Sequence, residues 1–173
     1  MTHKCCSPEC AQAFALLERQ RADRKVLMAF RETHKKKGAH VAAAQKSFNA
    51  YIRARDAGKN CISSGKPLPL DVVGGGFDAG HYRSVGSAPH LRFHEDNVHG
   101  QSKHDNRHLS GNAVDFRLGL IARIGLARVD ALEADQTPRH YSIDDLKAIK
   151  VLYDAKTKAL RAIAQDQSLM EAA

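Results

Sequence analysis

No apolar run in this chain approaches the roughly 18 residues that a bilayer span requires, so the sequence predicts no membrane helix. The opening residues also lack an apolar block with a small-residue cleavage pattern, and a cytoplasmic location is the expectation. Cysteine is scarce. Cys5, Cys6, Cys10 and Cys61 are the full set, and in a reducing compartment such spacing reads as metal binding or inert thiols rather than disulfides. The C-x3-C step from Cys6 to Cys10 offers half a zinc site, but no second close pair completes it. No internal repeat and no low-complexity tract is present. Nor does any serine-nucleophile or phosphate-loop motif lie near the densest group of chemically active side chains.

What is present begins with charge. The 173 residues carry a formal net charge of +8 and a pI near 9.5, which favours an acidic partner, nucleic acid being the usual one. The competing reading is a merely soluble basic surface. Length and a hydrophobic content of 43% fit one domain with extensions around a real core.

Composition divides the chain into a basic helical N-terminal arm (1–58), a compact central region (59–112) and a helical C-terminal region (113–173). From Pro8 to Lys37 the residues favour helix, with Gly38 as punctuation. The later part of this stretch is densely basic, ending in Lys35, Lys36 and Lys37; it reads either as a solvated helix face or as an arm touching DNA phosphates without reading sequence. A second helix is expected over 39–57, burying Val41, Ala44, Phe48 and Ile52, with Gly58 stopping it. Between 60 and 101 Gly and Pro recur and helical periodicity disappears, which predicts short strands near Phe77 to Tyr82 and Asn97 to Gln101. Helix resumes at Asn112 as a cap, carrying Val114, Phe116, Leu120 and Ile121 to Ile124, with Gly125 as the stop and a shorter helix near 127–134. Ser142 with Asp145 makes a loose capping box before a final helix with Leu146, Ile149, Tyr153, Leu160 and Ile163 on one stripe. That stripe is expected to pack against the domain or the N-terminal helices; dimerisation through it is the other option.

The stretch from Asp78 to Asn112 holds six of the ten histidines, His81, His90, His94, His99, His104 and His108. Cutting a phosphodiester needs a base to deprotonate water, a divalent ion to hold charge on the phosphate, and a rigid frame. A strand–turn–strand–helix unit supplies all three. His81 ends the first expected strand and is the candidate base. Asn97 opens the second strand, where its amide can brace the intervening loop. Asn106 falls on a short helix, where an amide oxygen can reach a hard cation such as Mg2+ or Mn2+. His-Asn-Asn at these intervals is the layout of HNH, or His-Me finger, nucleases. The fold expectation is therefore α+β, a small ββα-metal (HNH-like) finger embedded among long α-helices. Histidines 90 and 94 read as surface or loop residues, and His99 as a strand residue satisfied by a backbone carbonyl.

The finer sequence resembles the NinG (Rap) recombination proteins of lambda-like phages. The matching blocks are CSPEC (Cys6 to Cys10), YIRARD (Tyr51 to Asp56), CISSG (Cys61 to Gly65), DAGHYRS (Asp78 to Ser84), APHLRF (Ala88 to Phe93), NVHGQ (Asn97 to Gln101), NRHLSGN (Asn106 to Asn112), LIARIG (Leu120 to Gly125) and LKAIK (Leu146 to Lys150). The resemblance implies a phage endonuclease acting on branched recombination intermediates such as D-loops and Holliday-type junctions. It implies His81 as general base, Asn97 as loop organiser and Asn106 as metal ligand, with His99, His108 and Arg83 also matching. Arginine suits phosphate geometry, which makes Arg83 a candidate for the scissile phosphate.

Two departures from the pattern stand out. Where the family shows cysteine pairs, this chain has Cys61 with Ser64, and Ser102 with Asp105, so a four-cysteine structural zinc cannot form. A mixed site from Cys61, Asp105 and His104 or His99 is one alternative; a loop closed by hydrogen bonds without zinc is the expectation. Many HNH enzymes also place an aspartate directly before the base, where Gly80 stands here. Asp78 lies three residues before His81 and faces the other side of a regular strand, so a bulge would be needed to bring it round. Asp78 and His108 are carried as further metal ligands, since His104 and His108 share a helix face at i,i+4. Branched DNA is the expected partner, and symmetric junction resolution would favour a homodimer. The rival function is a non-catalytic branched-DNA-binding recombination protein with a degenerate zinc finger.

Overall fold

The computed structural model describes residues 7–34, 36–69 and 75–171, and its contacts separate a unit ending at Ala39 from one running from His40 to Ala173. The first unit holds helix α1 (Pro8–Thr33) and the start of the next helix. Ser7 caps it by accepting the Cys10 N–H at 3.2 Å, and Pro8 occupies the first turn, where a missing N–H does no harm. The helix ends four residues before the expected Lys37. The Thr33 hydroxyl and the His34 imidazole both turn back onto the Phe30 carbonyl, at 2.9 and 2.8 Å, and the chain leaves helical geometry at His34.

Helix α2 (Lys37–Arg55) begins on the basic run, so Gly38 sits inside its first turn instead of punctuating the chain. First-turn N–H groups lack intrahelical partners, which makes glycine tolerable there. Ala44, Phe48 and Ile52 are fully buried, as their spacing predicts, and Gly58 (φ 77°) follows in the turn after the helix. Their partners come from far along the chain. Helix α6 (Ile143–Glu171) starts at the expected box, Asp145 N–H to the Ser142 hydroxyl at 3.1 Å and Ser142 N–H back to the Asp145 carboxylate at 2.8 Å. It sends Leu146 and Tyr153 into the same core, where Phe48 meets Tyr153 and Phe93 edge-on at 4.7 and 5.8 Å. The stripe predicted on α6 fades at Ile163, which is 54% exposed.

Strands β1 (Phe77–His81) and β2 (Val98–Ser102) form a two-stranded antiparallel sheet, paired without a bulge from Phe77↔Ser102 to His81↔Val98. The first strand starts where expected and ends one residue early, and the second is displaced by one residue toward the C-terminus. Tyr82 instead donates its N–H to the Asn97 carbonyl at 2.8 Å as the loop opens. Helix α3 (Lys103–His108) follows β2 directly, capped by the Ser102 hydroxyl. Helices α4 (Ala113–Ile124) and α5 (Leu126–Ala134) enclose a second core of Phe116, Leu120, Val129 and Leu132 with Ile62, Ala88 and Leu91. Asn112 precedes α4 in a left-handed conformation (φ 46°) and its amide binds the Asp115 side chain, so it does not cap through its own oxygen; Val114, expected inside, points to solvent. The architecture is α+β, helices with a minimal two-stranded sheet.

One close approach fixes how α4 meets the 61–65 turn. A Cβ on Gly119 would lie 1.8 Å from the Ile62 carbonyl oxygen, a backbone atom that has nowhere to go. Gly119→Ala is therefore expected to cost about 1–3 kcal/mol through forced separation of the two segments. Urea unfolding would show it as a lowered midpoint; an unchanged midpoint would mean the contact is looser than described.

Candidate functional site

His81 is the last residue of β1, and its Nε2 lies 3.2 Å from the Arg92 carbonyl oxygen. A carbonyl only accepts, so Nε2 carries the proton of the neutral ring and Nδ1 keeps its lone pair. Burial pushes the imidazole below its ordinary value; the Arg92 carbonyl opposes this, and the Arg92 guanidinium reinforces it. At neutral pH the ring is thus an unprotonated base.

Asn97 is fully buried and closes the loop between the strands. Its side-chain NH2 donates to the carbonyls of Arg83 (3.0 Å) and Leu91 (3.2 Å), while its oxygen accepts the Arg83 N–H at 2.8 Å. One amide thereby ties the segment after His81 to the segment before Arg92. Asn106, on α3, donates to the Asp78 carboxylate at 3.0 Å. Burial would raise the Asp78 carboxyl, but the hydrogen bonds from Arg107 and Asn106 outweigh it and hold it below the usual range.

His81 and Asn106 line one open hollow of about 400 Å³, together with Arg92, Ser84, and Gln45 and Asn49 from α2. Arg92, Gln45 and Asn49 were not singled out from sequence. Arg92 does lie in the APHLRF block, and Gln45 and Asn49 stand at i,i+4 on one helix face, joined by a 2.7 Å hydrogen bond. Other candidates fall elsewhere. Arg83 sends its guanidinium to the Glu133 carbonyl on α5 (3.2 Å), not into the hollow. Asp78 is absent from the lining, since the unbulged strand turns it away from His81, and its carboxylate grips Arg107 at 2.7 and 2.9 Å. His108 is exposed with its ring 5.7 Å from that of His104, and neither lines the hollow. Lys36 and Lys37 are exposed; Lys35 lies outside the described residues, as do Cys5 and Cys6.

For a hard cation, the hollow offers the Asn106 amide oxygen, with the Asp78 carboxylate that this amide binds lying just off the lining and paired to Arg107. This small set fits the habit of Mg2+, which takes one or two protein oxygens and fills its shell with water and phosphate. Among the described residues no group of three or more His, Cys, Asp or Glu side chains is placed to hold a metal.

Structural zinc does not fit. Positions 61, 64, 102 and 105 do converge, but as a hydrogen-bonded knuckle. The Cys61 thiol donates to Asp105 Oδ2 at 3.2 Å, Ser102 N–H reaches Cys61 Sγ at 3.2 Å, and Asp105 N–H reaches the Ser102 hydroxyl at 3.0 Å. Burial would raise the Asp105 carboxyl; hydrogen bonds from Cys61, Ser102 and Ser64 lower it, keeping it an ionised acceptor. One thiol, one carboxylate and two hydroxyls make a poor zinc set. His104 stays outside the knuckle, exposed on α3.

Of the two histidines read as surface or loop residues, both lie in the loop between the strands, and neither is fully exposed. His90 is buried, its Nε2 2.7 Å from the Asp135 carbonyl, because the loop it belongs to is covered by the chain after α5. His94 is half-buried and accepts the Asp96 N–H through Nδ1, capping the turn before β2. His99 is 3% exposed and meets the Asp96 carbonyl through Nε2 at 3.1 Å. Its other nitrogen faces Arg55 at 3.1 Å beside Asp56 and Arg123. Burial, then the Arg55 charge, pushes His99 down to about 4, with Asp56 opposing and Arg123 assisting. The unfolded chain therefore binds more protons than the folded one between about pH 6.5 and 4, and stability rises with pH through that window. Acidifying from pH 7 to 4 is expected to remove roughly 3 kcal/mol through His99. Urea midpoints of wild type and His99→Gln measured at both pH values check this; parallel losses would rule His99 out as the source.

A basic α+β protein with an imidazole and three amide side chains lining a polar hollow defines the class, and no helix among the described residues is long and apolar enough to cross a membrane. The family described as "Bacteriophage Lambda NinG protein" matches residues 2–163, and the chain belongs to the NinG family of lambda-like phages. It is 38% identical over 174 residues to "Protein ninG" of Salmonella phage P22 and equally to that of Escherichia phage lambda, covering 90% of this chain and 83% of each relative. "Protein ninG" of Escherichia phage 933W is 41% identical over 121 residues, 70% of this chain and 58% of the relative. No solved structure matches.

Proposed function

We propose that the protein is a metal-dependent, structure-selective DNA endonuclease acting on branched recombination intermediates, D-loops and Holliday-type junctions, in the bacterial cytoplasm during phage infection. The carrying observation is that His81 and Asn106, 25 positions apart in sequence, line the same hollow while Asn97 locks the loop between them. The unit β1–β2–α3 then corresponds to a ββα-metal finger of HNH type. His81 Nδ1 takes a proton from water as the water oxygen attacks phosphorus, and the bond to the leaving sugar oxygen breaks. Asn106, with Asp78, would hold Mg2+ or Mn2+, which supplies charge stabilisation at the phosphate when bound. Lys36 and Lys37, with Lys35, supply sequence-independent phosphate contacts, so selectivity rests on DNA shape.

Incubating labelled three- and four-way junctions and linear duplex with the protein in Mg2+ or Mn2+ tests the reading. Cleavage near the branch is expected, with linear duplex cut far more slowly. Binding without cleavage in either metal would sink it. That outcome would favour the second reading, a non-catalytic branched-DNA-binding protein, for which the occupied state of Asp78 and the metal-unfit knuckle both speak.

A further inference from the structure

We propose that Arg92, seated on Gln45 and Asn49 of α2, is an anion-binding residue that grips a non-bridging oxygen of a DNA phosphodiester. The proposal rests on the reading that the hollow receives DNA, but it does not require the bond to be cut.

Several arginines in this protein are neutralised by a carboxylate. Arg55 pairs with Asp56, Arg107 with Asp78, Arg117 with Glu133, Arg128 with Asp96 and Arg139 with Asp135. Arg92 is different. Its guanidinium donates through Nη1 to the neutral side-chain oxygen of Gln45 at 3.2 Å, and Gln45 in turn donates to Asn49 Oδ1 at 2.7 Å. That second bond fixes which way the Gln45 amide faces, so its oxygen is presented to the arginine. A guanidinium has five N–H donors, and a neutral amide satisfies one while leaving the charge uncompensated.

The hollow itself points the same way. Its lining includes an imidazole, amides and hydroxyls, with no aspartate or glutamate among the described residues, and of these Arg92 alone carries a permanent charge. A polar concavity with one unpaired cation is suited to an anion, and the planar fork matches paired phosphate oxygens better than a point charge would. Arg92 also holds His81 through its own carbonyl. Arg92 thus touches the base through its carbonyl and offers the cation through its side chain, which places a phosphate gripped by the guanidinium beside the imidazole. Arg83, the arginine nearer to His81 in sequence, is turned onto α5 and cannot do this.

The test compares full-length wild type with Arg92→Gln, Arg92→Lys and Arg83→Gln. Anisotropy of a labelled four-way junction is read in EDTA across a salt series, and cleavage is read in Mg2+ and Mn2+. Arg92→Gln is expected to weaken binding about tenfold and to lower the salt slope by about one, with lysine restoring only part of the loss. Arg83→Gln should stay within about twofold. Wild-type affinity and slope in Arg92→Gln would overturn the proposal, as would an equal loss in Arg83→Gln. Should Arg92→Gln melt well below wild type, Gln45→Leu keeps the charge and removes its anchor; about threefold weaker binding is expected, and unchanged binding overturns the proposal. Inorganic phosphate at constant ionic strength is the competing arm. If it binds through Arg92 while junction affinity ignores Arg92→Gln, the ligand is free phosphate and the proposal fails. A wild type that never cuts, with the Arg92→Gln binding loss intact, removes the endonuclease and leaves the anion seat. Cutting that is indifferent to Arg92→Gln does the reverse.

Discussion

His81→Ala is expected to bind a four-way junction within about twofold of wild type while cleaving it about 10²–10⁴-fold more slowly. The ring touches backbone carbonyls only, those of Arg92 and Ala79 at the rim of the sheet, so its loss leaves β1 paired to β2 and the loop held by Asn97. What disappears is the one side chain in the hollow able to accept a proton near neutral pH. Because burial lowers the imidazole pKa, the wild-type cleavage rate should rise with pH and level off, with its midpoint below 6.5. Gel-resolved single-turnover rates from pH 5 to 8, on wild type and variant, read both effects. Cleavage by His81→Ala at the wild-type rate would remove His81 from the chemistry. A midpoint above 6.5 would mean a different group, or a metal-bound water, sets the profile.

Asp56→Ala carries the largest expected effect on stability, a loss of about 3–5 kcal/mol. The carboxylate has no exposed surface. It receives Arg55 through two nitrogens (2.9 and 2.8 Å), Lys59 at 3.0 Å and the Gly100 N–H of β2 at 2.8 Å, with Arg123 3.9 Å away. Burial alone would raise its pKa, yet these donors hold it far below the ordinary carboxylate range. Arg55, so oriented, donates onward to the carbonyls of Glu95 and Val98. Removing the carboxylate leaves a half-buried guanidinium, an ammonium and a strand N–H without their acceptor. Chemical denaturation at pH 7 would measure the loss; a change below about 1 kcal/mol would show that water replaces the carboxylate more easily than its burial suggests.

Local signals were legible where the physics is local. The Ser142–Asp145 box, Gly125 after α4 and the face of α2 carrying Ala44, Phe48 and Ile52 all follow from spacing within a few residues. Periodicity does not say how wide a buried face will be, so Val114 and Ile163 were drawn in with their neighbours and stand in solvent. Within the candidate site, the placements of His81 and Asn106 were readable because a strand end and a following helix are sequence features. Which arginine reaches the hollow was not. Arg83 and Arg92 sit in one loop, and the choice between them depends on the path that Asn97 imposes and on the acceptor that α2 supplies. The burial of His90 is illegible for a similar reason: what covers a loop lies outside the loop.

The wall that α2 lends to the hollow has a consequence for folding order. Gln45 and Asn49 stay in place because the other face of α2, through Phe48 and Ile52, is packed with Leu146 and Tyr153 of α6, about a hundred positions later. Contacts of such separation form late, after the entropy of closing the intervening loop has been overcome. As the chain emerges from the ribosome, the hairpin carrying His81 is complete long before the helix that steadies its opposite wall. The wall of the hollow is thus steadied only once α6 has been made, and a chain halted before Ile143 would present the β1–β2–α3 unit beside an α2 whose apolar face is still bare.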